Sequence, residues 1–358
     1  MPKVVSFIGG ILLLGFTVNT AQAAFNALYV FSDSISTTTN NPATGPYYYG
    51  QRYSNGRVWV EVLAQRQGLP YDPNKNWSYF GDTSTDLVAH VSSFQPPGDA
   101  SNGLFIIWVN CADLYYPAYY SGSNTNAWTN AINQSQINHY KAVTNLYFAK
   151  GVRTLILPNV VDLSTIPLFN ASSSAKVIHQ MCANYNVAFS GTMNRIRAAC
   201  PNLTLYSPDF FSLLTNILAY PTNYLVTNAL YGGLSVDALD DPALNNKTTN
   251  GPGANYIFWD EKDPSAKVHM WMANLAQQLM SPAQISGITV FSGSNRLDLA
   301  NVPIGQNGLV LDCTNLAAPA WKTNVNFTGT NLAQSVYVTN SGSPWYYRLR
   351  YLYSWTWP

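Results

Sequence analysis

Four short apolar runs, each ending in polar residues and each followed by a longer stretch, do most to limit the folds open to this chain. "ALYVFSD" (27–33), "GLFIIWVNC" (103–111), "RTLILPNV" (153–160) and "LTLYSPD" (203–209) have the length and continuity of buried strands. Such runs suit parallel strands covered on both faces. Between them, 56–68, the region from Ala127 to Lys150 and the region from Ser174 to Ala199 carry helical periodicity. Strand and helix in alternation predict a three-layer α/β/α domain around a parallel sheet. In such sheets ligands bind beyond the carboxyl ends of the strands. Ser32-Asp33-Ser34 and the stretch from Asn110 to Asp113 are therefore where chemistry is expected.

The pattern changes near Pro282. Beyond it "ITVFSG", "GLVLDC", "SVYVTN" and "WYYRLRYLY" are short strand-like runs between Gly and Asn turns, predicting a small all-β module over 283–358. Its aromatic residues suit either core packing or contact with a surface or glycan. At the other end, Lys3, the apolar "VVSFIGGILLLGFTV" and the small residues "AQA" have the layout of a secretory signal over 1–23. Export to the periplasm or the medium is expected, with the first domain spanning 24–282. No later run reaches the ~18 apolar residues a bilayer span needs, so no transmembrane segment is expected in the mature chain.

Lys and Arg number 18 against 17 Asp and Glu. With no basic run, nucleic acid is not an expected partner. The cysteines at 111, 182, 200 and 313 declare no disulfide framework. Cys182 and Cys200 lie on one predicted helix, roughly 27 Å apart at 1.5 Å per residue, too far to pair. The four histidines (90, 139, 179 and 269) make no metal-ligand spacing with them. No metal or other cofactor is expected.

Ser34 stands just past a buried strand, where its hydroxyl can enter the crevice and its N–H can face a developing oxyanion. Gly81, in "NWSYFGDTST", allows close backbone approach to a substrate. "WVNCADL" (108–114) closes the second apolar run, and "YIFWDEKDPSAKVH" (256–269) brings two aspartates to a helix beginning near Ser265. In this order, the four segments resemble the blocks of the GDSL family of serine esterases and lipases, also called SGNH hydrolases. The resemblance runs from about Ala27 to Met280 and includes "RYSNGRVWVEVLAQRQGL" (52–69), which follows a stretch of the family's extracellular lipase-like branch. It implies a flavodoxin-like sheet, with Ser34 as nucleophile, Asp260 as acid partner and Ser34 and Gly81 as oxyanion donors.

The same comparison exposes departures. The family's Asp-x-x-His supplies the base that takes the serine proton; here the sequence is Asp260-Glu261-Lys262-Asp263. The third block, Gly-x-Asn-Asp in the family, is Asn110-Cys111-Ala112-Asp113, which puts Ala112 where an oxyanion amide is expected. Ser32 replaces the first glycine. Three substitutes are open. Asp260 and Asp263 can raise each other's pKa by repulsion and leave Asp263 as a carboxylate base. Asn110 can lend its amide, since alternate residues leaving a strand share a face. His269 can reach back, against which stands its place on a helix face, where packing or capping is its ordinary role. Tyr115, Tyr116, Tyr119 and Tyr120, in "LYYPAYYSGS", either line the cleft or hold a surface loop around Pro117.

The function implied is hydrolysis of a carboxylic ester of a small molecule, lipid or glycan through an acyl-enzyme, impaired by the loss of the histidine. The alternative is a non-catalytic, exported binder of a ligand or glycan on the same scaffold.

Overall fold

A strand with an apolar residue at nearly every position has to be covered on both faces, and the first strand meets that demand along its whole length. The computed structural model describes residues 25–42, 46–339 and 346–352; the expected signal segment lies outside them. In chain order come β1 (Ala27–Ser32), α1 (Trp59–Arg66), β2 (Asn76–Ser78), α2 (Ser84–Ser93), β3 (Gly103–Trp108), α3 (Asn110–Tyr120) and α4 (Thr125–Phe148). Then follow β4 (Thr154–Ile156), the single turn α5 (Pro167–Asn170), α6 (Ala175–Ala199), β5 (Thr204–Tyr206) and α7 (Phe210–Ala219). A hairpin of β6 (Leu230–Tyr231) and β7 (Leu234–Ser235) precedes α8 (Ala266–Met280).

The first five strands form one parallel sheet in the order β2-β1-β3-β4-β5. This is the doubly wound flavodoxin-like order, whose connections turn opposite ways after β1 and β3. Val30 pairs with Ile106 in that central register, and both are fully buried. The helices gather into two groups, α1 with α8 and α2 with α4 and α6. The sheet is thereby the middle of three layers. Large aromatics lock the layers together: Trp59 lies edge-on to Trp108 at 5.9 Å and to Phe210 at 5.4 Å. Such pairs contribute about 0.5–1.5 kcal/mol beyond their burial.

Two sequence expectations are corrected here. The second apolar run ends as a strand at Trp108, not Cys111, because Val109 (φ −123°, ψ 0°) leaves the extended region and Asn110 begins a helix. The tyrosine run is not a loop around Pro117 but the body of that helix. Its tyrosines fall at i and i+4, so Tyr115 with Tyr119 and Tyr116 with Tyr120 form adjacent rows on one side. The Tyr116 and Tyr120 rings are 4.9 Å apart. Pro117 removes one donor from the helix interior, and the helix ends a single turn later.

After α8 the described residues form strands only: β8 (Gln284–Phe291), β9 (Ser294–Ala300), β10 (Asn307–Cys313), β11 (Lys322–Thr328), β12 (Ala333–Thr339) and β13 (Tyr346–Leu352). They make two three-stranded antiparallel sheets, β12-β9-β8 and β11-β10-β13. Their own small core includes Leu297, Leu299, Val310 and Val338. The four cysteines are buried and unpaired. No helix among the described residues is long and apolar enough to cross a membrane.

Phe105 is fully buried in β3 and stacks on Tyr29 at 4.6 Å. Phe105→Ala should lower unfolding free energy by about 3–5 kcal/mol. Val290→Ala, on the exposed face of β8, should change it by less than about 0.5 kcal/mol. Urea titration of both variants checks the contrast.

Candidate active site

At the end of β1 the backbone turns sharply. Asp33 accepts a hydrogen bond from the Ile35 N–H (3.2 Å) and so opens a single 3₁₀ turn over Ser34–Ser36. Ser32 fixes that turn to the neighbouring strand. Its hydroxyl donates to the Trp108 carbonyl (2.7 Å) and lies 2.9 Å from the Ser36 hydroxyl, which also receives the Trp59 indole N–H (2.9 Å). The serine that replaces the expected glycine is thus part of the framework. Ser34 is left at the crevice, with its hydroxyl donating to Asp263 Oδ1 at 3.4 Å.

Asp263 is brought there by a tight loop between the hairpin region and α8. The Trp259 N–H donates to the Asp263 carbonyl (2.9 Å). Asp260 Oδ1 accepts the N–H groups of Lys262 (3.0 Å) and Asp263 (2.8 Å), and its Oδ2 accepts the Tyr48 hydroxyl (3.0 Å). The start of α8 is held by Asn55, whose Oδ1 accepts the Ala266 N–H (2.8 Å). Arg52 grips Glu61 through two 2.7 Å contacts, and Glu61 also accepts the Val58 N–H (3.0 Å). The segment 52–69 therefore acts on the site by fixing α1 and the entry to α8. Tyr48 and Asn55 were not singled out in the sequence. Only the block resemblance around 52–69 pointed towards Asn55, and nothing pointed to Tyr48.

Three carboxyls meet around Ser34, and among the described residues none of them forms an ion pair. Burial pushes Asp33 up to about 7, opposed by the Ile35 N–H and raised further by the charges of Asp113 and Asp82. Burial also raises Asp260, against the hydrogen bonds it accepts. Asp263 is held well above the ordinary carboxylate range, first by burial and then by the charges of Asp260 and Asp33. A carboxyl so placed keeps its proton to higher pH than a solvent-exposed aspartate and, once ionised, is the stronger base.

The other named residues fall as follows. Gly81 lines the cleft beside Ser34 at φ +82°. A Cβ there would meet no atom within 4 Å, so the backbone angle and not crowding calls for glycine. Ala112 also lines the cleft. Asn110 does not supply an oxyanion amide: its Nδ2 donates to the Pro158 carbonyl (2.9 Å), because Asn110 starts α3 and does not continue β3. His269 is fully buried; its Nδ1 accepts the Trp59 N–H (3.3 Å) at the start of α1, and burial drives its pKa down to about 3. It caps a helix and is no substitute base. Tyr115 and Tyr116 line the cleft with Tyr119, Tyr120 and Phe80, around a space of about 320 Å³. Tyr115 and Tyr119 rest on Phe169, while Tyr116 and Tyr120 face solvent. Among the described residues no group of three or more His, Cys, Asp or Glu side chains could hold a metal ion.

A hydroxyl at a β-strand end, an Asp-containing loop before the last helix and a doubly wound sheet define a serine-hydrolase framework. Residues 28–276 match the model of the GDSL-like lipase/acylhydrolase family, and the chain belongs to that family. It is 26% identical over 251 residues to a phosphatidylcholine-sterol acyltransferase of Aeromonas hydrophila, covering 62% of this chain and 71% of that one. It is 21% identical over 270 residues to a thermolabile hemolysin of Vibrio parahaemolyticus, covering 69% of this chain and 62% of the hemolysin. Among solved structures, an acetylxylan esterase from Geobacillus stearothermophilus superposes with a TM-score of 0.42 at 14% identity, over 71% of this chain and 93% of the esterase.

Because Asp263 binds its proton more tightly in the folded chain than in the unfolded one, its contribution to stability is complete below the unfolded pKa. It is lost as pH rises towards the folded value. Asp263→Asn removes that loss. The difference in stability between the variant and the natural chain should therefore grow in the variant's favour from pH 4 to pH 8, by at most about 1.4 kcal/mol per pH unit. Thermal unfolding across that range measures it; a difference independent of pH would refute the raised pKa.

Proposed function

We propose that this chain is an exported hydrolase of carboxylic esters in which Asp263 takes the place of the usual histidine. The observation that carries the reading is the Ser34 hydroxyl facing Asp263 Oδ1 at 3.4 Å inside a ring of buried carboxyls. Ionised Asp263 accepts the serine proton as Ser34 Oγ attacks the ester carbonyl carbon. The same proton then passes to the departing alkoxide, leaving an acyl group on Ser34 that water removes by the reverse sequence. The Ser34 and Gly81 N–H groups are the donors for the oxyanion, and Ala112 adds none. An oxyanion donor contributes about 10²–10³ in rate and a positioned base about 10²–10⁴. The enzyme is accordingly expected to be slow by the standards of its class.

The tyrosine-lined cleft beside Ser34 suits the acyl part of a lipid-like or aromatic ester. Export is supported by the sequence of residues 1–23. A second reading has its own support: neutral Asp263 donates a hydrogen bond instead of accepting a proton, which suits a binder that holds an acylated or glycan ligand without cleaving it. Under that reading the β module, with Trp321 and Tyr346 lining a shallow groove, serves surface or glycan contact.

Hydrolysis of a short-chain nitrophenyl ester separates the two readings. Ser34→Ala should abolish the rate, and the natural chain's rate should climb with rising pH, since only ionised Asp263 is a base. Asp263→His should raise the rate at pH 7 by about 10²–10⁴, and Ala112→Asn should add a smaller gain. A natural chain no faster than Ser34→Ala at any pH from 6 to 10 leaves the binder as the function.

A further inference from the structure

Behind the Asp260–Asp263 loop lies a second pocket, separate in lining from the tyrosine cleft but sharing Phe80 and Lys262 with it. Its space is about 290 Å³, at the lower edge of small-molecule sites. Three rings form one wall: Tyr53 stands 6.0 Å from Tyr48 at 74° and 5.5 Å from Phe80. Asp237, Asp240, Asp260, Glu261 and Asp263 also line it, against the one cation Lys262.

When ionised, the carboxyls of this lining outnumber its cations. Lys262 is taken by Glu261 at 2.8 Å and lies 5.4 Å over the Phe80 ring. Among the described residues, none of the four aspartates has an ion-pair partner. Asp263 is 3% exposed, and one of its oxygens accepts no hydrogen bond from any described residue, although the side chain borders this pocket. Asp237, also buried, is pushed up to about 6 by burial and by the neighbouring charges of Asp240 and Asp260. Carboxyls outnumber the single lysine on this lining, and a positively charged guest would restore the balance.

Which cation fits follows from the walls. A metal ion needs several converging ligands, and the described residues offer no such cluster. Aromatic faces combined with carboxylates at a distance are the surroundings that favour an alkylated ammonium, whose charge is spread over a greasy surface. We propose that this pocket binds an organic ammonium group carried by the alcohol half of the ester. The inference rests on the esterase reading for its link to catalysis, but not for binding itself. With its ammonium between Tyr48, Tyr53 and the aspartates, an ester can reach Ser34 past Phe80 and lay its acyl half along the tyrosines. The guest's charge also favours the ionised form of Asp263. Binding then releases protons and produces the base that Ser34 needs.

The test uses the full chain and its Ser34→Ala variant, with choline as probe and 3,3-dimethyl-1-butanol as its uncharged isostere. Calorimetry at pH 7 in two buffers of different ionisation enthalpy should show choline binding at least about tenfold tighter than the isostere, with proton release. Asp240→Asn, on the exposed rim, and Tyr53→Leu should each weaken choline several-fold. Equal affinity for the two probes, no choline binding at tens of millimolar, or displacement by equimolar potassium would overturn the proposal. Choline binding retained in Ser34→Ala, with no ester hydrolysis by the natural chain, would uphold the pocket and reject only the catalytic reading.

Discussion

The arrangement at the carboxyl edge of the sheet follows from placing three carboxyl groups and one serine hydroxyl in a buried spot with no imidazole beside them. Charges that close in a poorly solvated setting oppose one another, and the carboxyls answer by holding their protons to higher pH. The strength of that answer follows the number of donors each has. Asp260 accepts from two N–H groups and the Tyr48 hydroxyl. Asp33 accepts from Ile35 and Ala112 N–H. Asp263 has only the long contact from Ser34, and it is the one held well above the ordinary range. Where a histidine would have stood as a neutral or positive group between two acids, an aspartate adds a third carboxyl.

The rest of the molecule keeps that unfavourable cluster together. β1 and β3 end at the point where the sheet's connections diverge, which opens the crevice and aims the Ser34 turn into it. Opposite, α8 enters at a fixed height because Asn55 caps its first N–H and His269 in turn accepts the first N–H of α1. The two helices hold each other by reciprocal capping. Asp113 ties elements together in the same way. Its carboxylate accepts the Ser84 N–H (2.9 Å) at the start of α2 and a hydrogen bond from the Ser135 hydroxyl. The block residue next to the missing asparagine thus joins three helices.

How much of this was legible depended on distance along the chain. β1 and β3 were readable because continuous burial leaves continuous apolar letters, and the positions of Ser34, Gly81 and Asp263 followed from block order. The end of β3 is hidden in the sequence because Asn110-Cys111-Ala112-Asp113 is polar enough to pass for a strand's tail. Its helical character lies in one backbone angle at Val109. Read as strand, it carries Asn110 into the oxyanion hole, since a side chain's direction reverses with the element it belongs to. The i, i+4 rows of tyrosines were a usable signal for α3, masked by Pro117. Tyr48 and Asn55 act on partners more than 200 residues away, and no local pattern encodes such a contact.

Replacing histidine by aspartate alters the acid partner as well as the base. An imidazole has two nitrogens, so it can accept from serine with one and donate to an acid with the other, and the acid orients it through the side chain. A carboxylate has no second donor to offer Asp260. In this structure Asp260 instead takes the main-chain N–H of residue 263, and so it sets the loop while leaving the Asp263 side chain to be oriented by burial and by Ser34. The partner that would stabilise an imidazolium here opposes ionisation of Asp263. Relief has to come from positive charge near both acids, and Lys262 gives little because Glu261 engages it. Ionisation of Asp263 is therefore set by the charges around Asp260 as well as by its contact with the serine.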